Sequence, residues 1–319
     1  MLSPSYFARM PVVALLALSA GVVSGQAYPN KPVRIVTVEP GGTPDLISRL
    51  IAQGITGSLG QQVIVENRVG ISGIEVVSRA LPDGYTVAVN GQNLWILPFL
   101  RDNVPYDPVR DFSPVMLVTR APNVLVVHPS VPVKSVEELI AMAKARPGEL
   151  NYGTGGPGSS NHLSAELFKA MAGVNLVMIN YKGTGASITA LVGGEVQLMF
   201  AGLGPAAPHF KSGKLRALAV TTAEPSALTP DLPTVAQFLP GYEATVLTGM
   251  FVPAKTPAAI IGRLNREVAA ALNRTEVKER LFNLGIEIVG NSPTEFAAII
   301  RADMAKLGKV IKDAGIRGG

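Results

Sequence analysis

Short apolar runs, rich in Val, Ile and Leu, alternate along the chain with amphipathic stretches. Continuous runs of this kind are typical of strands that are buried on both faces, as in parallel sheets. Because strands and helices alternate, the pattern predicts an α/β protein with mostly parallel sheets flanked by helices. The predicted strands are residues 33–38, 62–66, 85–89, 124–127, 175–180, 196–200, 215–221, 245–252 and 286–289.

The amphipathic stretches carry helix start signals. Thr43-Pro44, Thr256-Pro257 and Ser292-Pro293 each give an N-cap residue followed by proline at the first helical position. Glu295 completes a capping box with Ser292. Ser135 and Glu138 form a second box. These signals predict helices directly after each of the four sites.

The chain has 319 residues, which is enough for two domains. Two extended segments, 112–124 and 241–252, are suited to cross between lobes. We therefore predict lobe 1 from residues 28–120 plus 245–319, and lobe 2 from residues 121–244. The alternative is two consecutive domains divided near residue 125.

Residues 1–27 have the pattern of a secretory signal peptide. Arg9 is the only charge before Lys31, and residues 11–23 form an apolar stretch too short to span a bilayer comfortably. Gly25-Gln26-Ala27 places small residues where a signal peptidase reads them. We expect an exported protein that begins at Tyr28, with an uncleaved anchor as the alternative. The chain has no Cys, so disulfides and thiol chemistry are excluded.

Charge and composition narrow the class of ligand. The net charge is +5, yet no basic run or aromatic-basic cluster occurs, which argues against nucleic acid. The histidines, His128, His162 and His209, are scattered and have no neighbouring carboxylate pair, so no metal site is expected.

Two glycine-rich turns, each between a predicted strand and a predicted helix, are the strongest candidates for a binding site. The turn 39–45 follows strand 33–38, and the turn 153–160 follows a short run at 150–152. Glycines allow close approach of the backbone, and a helix start attracts carboxylates. The pattern predicts one small anion held between two lobes. The candidate ligand-binding residues are Gly41, Gly42, Thr43, Asp45, Thr154, Gly155, Gly158, Ser159, Ser160 and His162.

The second turn and a third junction carry more specific expectations. One of Ser159 and Ser160 should cap the following helix, while the other faces the cleft with His162; a purely structural His162 is equally open. The third junction contributes Tyr181, Lys182, Gly183 and Thr184 as further ligand-binding candidates, with Thr184 as cap. A solvated surface position is the alternative for Lys182.

The sequence motifs give little indication of cofactor binding or catalysis. Gly153-x-Gly155-x-x-Gly158 matches a dinucleotide fingerprint, but no Asp or Glu lies between Glu166 and Glu195 to hold a ribose. We therefore expect no cofactor and interpret the turn as an anion cradle, with a simple connecting turn as the alternative. No Gly-x-Ser-x-Gly or His-Glu-x-x-His motif occurs, so no enzyme is predicted. The competing hypothesis is a secreted carboxylate-processing enzyme with His162 as base.

An ordered set of short motifs resembles the extracytoplasmic solute receptors of tripartite tricarboxylate transporters, often called Bug receptors. The resemblance extends from Tyr28 to Ile316. It rests on Tyr28-Pro29-x-Lys31-Pro32, Pro40-Gly41-Gly42-x-x-Asp45, Val65-Glu66-Asn67-Arg68, Pro82-Asp83-Gly84-Tyr85-Thr86, Tyr106-Asp107-Pro108, Gly158-Ser159-Ser160-x-His162-Leu163-x-x-Glu166, Tyr181-Lys182-Gly183-Thr184-Gly185, Gly193-Gly194-x-Val196, Pro233-Thr234-Val235 and Pro253-Ala254-Lys255-Thr256-Pro257.

The resemblance implies a monomeric, two-lobed periplasmic binding protein of type II-like architecture with a hinged cleft. Such receptors hold a small organic carboxylate through backbone N–H groups and ordered waters, and deliver it to membrane permease subunits. The turns 41–45 and 154–160 fall on the positions that do so. A ligand sensor feeding a signalling kinase is an alternative role.

Two departures from the family pattern bear on the ligand. Glu39 places an acid beside the presumed anion site. Ala201, included among the ligand-binding candidates, stands where the family often has Asp. Because that acid would suit an ammonium group, its absence disfavours an amino-acid ligand.

Overall fold

The computed structural model describes residues 28–38, 40, 43–68 and 70–317. The predicted signal peptide therefore lies outside the described residues. The strands are β1 (Val33–Thr37), β2 (Val63–Asn67), β3 (Thr86–Gly91), β4 (Phe112–Val127), β5 (Asn151–Thr154), β6 (Val177–Asn180), β7 (Leu198–Gly202), β8 (Arg216–Val220), β9 (Thr245–Pro253) and β10 (Glu287–Ile288). The α-helices are α1 (Thr43–Leu59), α2 (Ser72–Ser78), α3 (Asn93–Leu100), α4 (Val136–Ala145), α5 (Ser160–Ala172), α6 (Thr184–Val192), α7 (Leu203–Lys211), α8 (Ala258–Leu272), α9 (Thr275–Asn283) and α10 (Pro293–Asp313).

The strands form a curled, mixed sheet in the order β2-β1-β3-β9-β4-β7-β5-β6, and β8 and β10 also pair with β4. The triplets β2-β1-β3 and β6-β5-β7 are parallel. The centre is antiparallel, since β9 opposes both β3 and β4, and β4 opposes β7. The α/β class is thus confirmed, while parallel pairing is confined to the two ends of the sheet.

Strand β4 joins two half-sheets. Residues 112–122 of β4 pair with β9, and residues 123–127 pair with β7 and β8. The chain returns at Ala244, whose N–H donates to the carbonyl oxygen of Thr221 at 2.9 Å, just before Thr245 pairs with Pro122. Below, the first half-sheet denotes β1, β2, β3, β9, β10 and the start of β4. The second half-sheet denotes β5, β6, β7, β8 and the end of β4.

Strand directions make the two half-sheets face each other. Strands β1, β2 and β3 run in the same direction as β4, which leads from the first half-sheet into the second. Strands β5, β6 and β7 run against β4, back toward the first. The C-terminal ends of both parallel triplets therefore point toward the place where the chain crosses. Ligands of open α/β sheets bind in crevices at such ends.

Both faces of each half-sheet are covered by helices. Helices α1, α8 and α9 cover one face of the first half-sheet, and α2, α3 and α10 cover the other. Helices α4 and α5 cover one face of the second half-sheet, and α6 and α7 cover the other. Leu163 of α5 packs into the core beneath α3 and α10, and Val310 of α10 packs into the core beneath α5. These two helices thus connect the halves.

The helix starts agree only partly with the sequence signals. Ser292 caps α10 and forms the full capping box with Glu295. Ser135 caps α4, but the Glu138 carboxylate accepts from the N–H of Lys134 instead of closing a box on Ser135. The predicted Thr256 cap is wrong, because α8 begins at Ala258 and the Thr256 hydroxyl donates to the carbonyl of Pro253. None of the helices within the described ranges is long and apolar enough to cross a membrane.

Candidate functional site

The turn 154–160, between β5 and α5, is held by its own hydroxyl groups. The Thr154 and Ser159 side-chain oxygens lie 2.9 Å apart, and the Gly156 N–H donates to Thr154 Oγ1 at 3.3 Å. Ser159 is the N-cap of α5 and accepts from the N–H of His162. Gly158 has a φ of 74°, a conformation that favours glycine. Of the two candidate serines, Ser159 is therefore the cap.

The first turn of α5 contains backbone N–H groups that have no hydrogen-bond acceptor among the described residues. The N–H groups of Ser160 and Asn161 stand too early in the helix to have an intrahelical acceptor. No other acceptor for them occurs in the described part of the chain. The positive end of the helix adds to their attraction for an anion. The start of α5 can therefore accept a carboxylate through main-chain donors.

The start of α6 lies against the same turn. The N–H of Tyr181 donates to the carbonyl oxygen of Thr154 at 2.9 Å. A Cβ on Gly155 would lie 2.8 Å from the backbone nitrogen of Thr184, so only glycine permits this approach. The turns 154–160 and 181–184, which the sequence identified separately, are thus brought together by the pairing of β5 with β6.

Thr184 does not cap α6, as the sequence had suggested. Gly183 is the N-cap, with a φ of 93°, and Thr184 is the first helical residue. The Thr184 hydroxyl donates to Asn161 Oδ1 at 3.1 Å, and Asn161 Nδ2 donates to the carbonyl of Phe200 at 2.6 Å. Asn161 therefore fastens α6 to α5 and β7. It was not among the candidates, although a polar residue directly after Ser159-Ser160 was a readable signal.

Three further candidates, Tyr181, Lys182 and Ala201, differ in their surroundings. Lys182 is exposed, and the hydroxyl of the half-buried Tyr181 donates to Glu195 at 3.3 Å. Ala201 is 0% exposed, pairs with Val124 and packs in the core beneath α6 and α7. The site developed below therefore leaves Ala201 out.

His162 is buried, with 5% of its surface exposed, and accepts a hydrogen bond through Nδ1 from the N–H of Gly158 at 3.0 Å. Its Nε2 lies 4.0 Å from Glu166 Oε1. Burial lowers the pKa of His162 most strongly; Glu166 opposes this shift and Lys169 adds to it. The ring is therefore neutral at neutral pH, with the hydrogen on Nε2.

Next to His162, a second group of hydrogen-bonded side chains links α5 to β5. Glu166 Oε1 accepts from the Tyr152 hydroxyl at 2.6 Å and from Lys169 Nζ at 2.7 Å. Burial first, then the hydrogen bond and charge of Glu166, raise the pKa of Tyr152, so its phenol stays protonated. This group was not predicted from the sequence, although Glu166 follows His162 at the i+4 spacing of helix neighbours.

On the first half-sheet, Gly41 and Gly42 lie outside the described residues, as does Glu39. Thr43 is the first residue of α1. Asp45 is 5% exposed, accepts from Asn67 Nδ2 at 2.7 Å and pairs with Arg49 at 3.0 Å. Asn67 Nδ2 also donates to the carbonyl of Val38 at 2.7 Å. The Asp45 carboxylate thus fastens α1 to the ends of β1 and β2.

The two half-sheets touch beside the turn 154–160. A Cβ on Gly158 would lie 2.7 Å from Leu100 Cδ1, at the end of α3. Ser160 also lines a cavity of about 300 Å³ behind α5, where Asp303 of α10 accepts from Trp95 Nε1 and Gln92 Nε2. In the described ranges, no group of three or more His, Asp or Glu side chains is arranged to hold a metal.

Comparison with known proteins shows the family to which the chain belongs. Residues 47–316 match the family described as tripartite tricarboxylate transporter family receptor (TctC). BugT of Bordetella pertussis is 32% identical over 318 residues, covering 97% of this chain and 98% of that protein.

Two solved structures are also similar. One is R. palustris Rpa4515 with adipate, at 37% identity and a TM-score of 0.76, covering 92% of this chain and 100% of that chain. The other is MatC (Rpa3494) from Rhodopseudomonas palustris with bound malate, at 30% identity and a TM-score of 0.71, covering 89% and 100%. The family match spans most of the chain and agrees with the ordered motifs, so the chain belongs to the TctC family of tripartite tricarboxylate transporter receptors, the Bug-type solute-binding proteins.

Proposed function

We propose that this receptor captures a small organic dicarboxylate in the crevice between two lobes, 28–120 plus 245–319 and 121–244. One carboxylate lies at the starts of α5 and α6, within reach of the free N–H groups of Ser160 and Asn161. The convergence of these two helix starts around Gly155 and Thr184 is the observation that carries the proposal. The adipate and malate of the two solved relatives support the dicarboxylate class.

The energetics favour a crevice over a single exposed turn. One helix terminus contributes about 0.3–1 kcal/mol, and about 2 kcal/mol at best. Micromolar binding needs about −8 kcal/mol. Several charge-assisted hydrogen bonds, at about 1.5–3 kcal/mol each, meet this requirement once water is excluded. Main-chain donors carry most of the interaction in this proposal.

The ligand leaves unchanged. The hydrogen bond from Gly158 occupies the basic nitrogen of His162, and the other nitrogen carries a hydrogen, so the ring has no lone pair for proton abstraction. This argues against the carboxylate-processing enzyme. Recovery of the carboxylate intact after prolonged incubation with the protein is the expected result.

We further propose that residues 1–27 are removed on export, that the mature receptor is a periplasmic monomer, and that it delivers its ligand to membrane permease subunits. N-terminal sequencing of the protein from a periplasmic fraction should begin at Tyr28. Light scattering after gel filtration should give one chain per particle. Sequencing that recovers residues 1–27 in the exported protein would contradict the cleavage.

Titration calorimetry against adipate, malate and the uncharged diamide of adipate tests the binding function. We expect one site per chain, micromolar affinity for at least one diacid and no heat with the diamide. X-ray scattering should show a smaller radius of gyration with ligand, because the lobes close. Equal binding of diacid and diamide, or no binding by any carboxylate in a wider panel, would overturn the proposal.

A further inference from the structure

His162 stands at the contact between the side chains of α5 and the turn that precedes it. Its ring Nδ1 accepts a hydrogen bond from the backbone N–H of Gly158. The backbone N–H of His162 donates to Ser159 Oγ. Gly158 contacts Leu100 and stands two residues before Ser160, so it adjoins the free amides of Ser160 and Asn161 in the chain. The imidazole therefore sets the path of the turn without reaching into the crevice.

We infer that His162 is a positioning residue for the carboxylate site, and that the turn 154–160 holds its anion-binding form only while Nδ1 of His162 is unprotonated. The inference rests on the proposed function for its effect on ligand affinity. It assigns His162 a role different from the direct ligand contact that the sequence suggested.

Protonation changes the hydrogen-bond roles at this contact. A neutral imidazole can accept through Nδ1, whereas an imidazolium donates from both nitrogens. Two N–H groups, of Gly158 and of the ring, would then face each other at the present separation of 3.0 Å. The turn must move to relieve this opposition, and the adjacent donors of Ser160 and Asn161 move with it.

The charged groups around the ring are few. Glu166 and Lys169 on α5 are the charges that act on His162, and Tyr152 of β5 is bonded to Glu166. From α10, Asp303 is bonded to Trp95 and Gln92, and Lys306 donates to the carbonyl of Glu243. Burial outweighs Glu166 and lowers the pKa of His162, so the unprotonated form extends below the ordinary value of about 6.5.

Substitutions of His162 can separate the effect of its hydrogen-bond acceptor from the effect of its protonation. In His162→Asn, the amide Oδ1 replaces Nδ1 as an acceptor for Gly158 but does not titrate. In His162→Ala the acceptor is lost at every pH. His128, half-buried and bonded through Nδ1 to Ser130, provides a control in His128→Asn.

The first measurement needs no ligand. Nitrogen–proton spectra of the ligand-free protein, residues 28–319, are followed from pH 8 to pH 4.5. In the native protein, the Gly158 amide should shift with the same midpoint as the His162 ring. In His162→Asn this amide should stay still, and in His128→Asn it should behave as in the native protein. If the Gly158 amide signal does not shift with the midpoint of the His162 ring, the inference is overturned, whatever the protein binds.

The second measurement is adipate affinity from pH 8 to pH 4.5, divided by the affinity of His162→Asn to cancel protonation of adipate itself. The ratio should fall up to tenfold per pH unit once the pH passes below the midpoint of His162, because only the unprotonated form binds. His162→Ala should bind at least tenfold more weakly at pH 8. A constant ratio through that midpoint overturns the inference, whereas failure of all variants and the native protein to bind a diacid concerns the proposed function alone.

Discussion

A Cβ on Gly155 would lie 2.8 Å from the backbone nitrogen of Thr184 and 3.0 Å from the carbonyl carbon of Gly183. Real Cβ atoms do not approach backbone this closely, so the two helix starts can converge only because residue 155 has no side chain. The proposed carboxylate site therefore depends on the absence of one methyl group.

Gly155→Ala tests this dependence. The added methyl should separate the starts of α5 and α6 and weaken adipate or malate binding by more than tenfold. Gly185→Ala is a matched control, because the methyl at Gly185, in the first turn of α6, would meet no atom within 4 Å. Calorimetry on both variants gives the comparison, and equal affinities would contradict the proposed convergence of donors.

Ser159→Ala should affect both stability and binding. Ser159 caps α5, so its loss should lower the free energy of unfolding by about 1 kcal/mol. It should also loosen the turn that Ser159 shares with Thr154 and reduce affinity severalfold. Ser135→Ala removes a cap from α4 in the same manner and should change stability alone. Urea unfolding and calorimetry separate the two effects, and equal affinity losses in both variants would argue against a local role for Ser159.

Asp45→Ala should destabilise the protein by about 1–3 kcal/mol, because the half-buried side-chain amide of Asn67 loses one of its two acceptors and the buried carboxylate is removed. Glu75 offers a close comparison, since it also lies in the first helical turn and pairs with an Arg at i+4. Its side chain is 33% exposed against 7% for Asp45. Glu75→Ala should therefore cost no more than about 0.5 kcal/mol in urea unfolding. Equal losses of unfolding free energy in the two variants would show that the Asp45 carboxylate does not hold α1 to the ends of β1 and β2.

Asp303 should make the fluorescence of Trp95 depend on pH. Burial raises the pKa of Asp303, although the hydrogen bonds from Gln92 and Trp95 oppose the shift. Trp95 is the only tryptophan in the chain, so its emission should change at a pH above the ordinary aspartate value of about 3.9. The change should vanish in Asp303→Asn and persist in Asp313→Asn.

The raised pKa of Asp303 also determines how its contribution to stability changes with pH. A raised pKa means that the folded protein binds the proton more tightly than the unfolded chain, so the Asp303 contribution falls as the pH rises above the unfolded value. Native protein should therefore lose stability relative to Asp303→Asn over that window. A parallel pH dependence of both proteins would rule out this contribution.

Most strands were readable from the sequence because apolar runs mark their ends within about two residues; β4 is the exception, since it begins at Phe112 and the predicted run began at residue 124. The segments 112–124 and 241–252, predicted to cross between lobes, overlap β4 and β9, although the full length of β4 was not foreseen. The division into lobes itself stays a prediction. Helix α3 was missed because its residues are almost all apolar and Pro98 interrupts it, so no amphipathic period is visible. Helix α7 contains Pro205 and Pro208 and was missed for a related reason.

The site was readable where it depends on local sequence. Glycines and a serine between a strand and a helix identify the turn 154–160 without knowledge of the fold. The partner of Asp45 was not readable, since Asn67 lies 22 residues away and meets it only through the pairing of β1 with β2. The burial of Ala201 was not readable from the sequence, because the face of β7 toward which a residue points depends on the pairing with β4.

A crystal structure of the mature chain with bound adipate is the most direct test of main-chain capture. We expect one carboxylate within about 3 Å of the backbone nitrogens of Ser160 or Asn161, directly or through one water, with the α6 start alongside. A carboxylate bound only by basic side chains, away from both helix starts, would contradict the account.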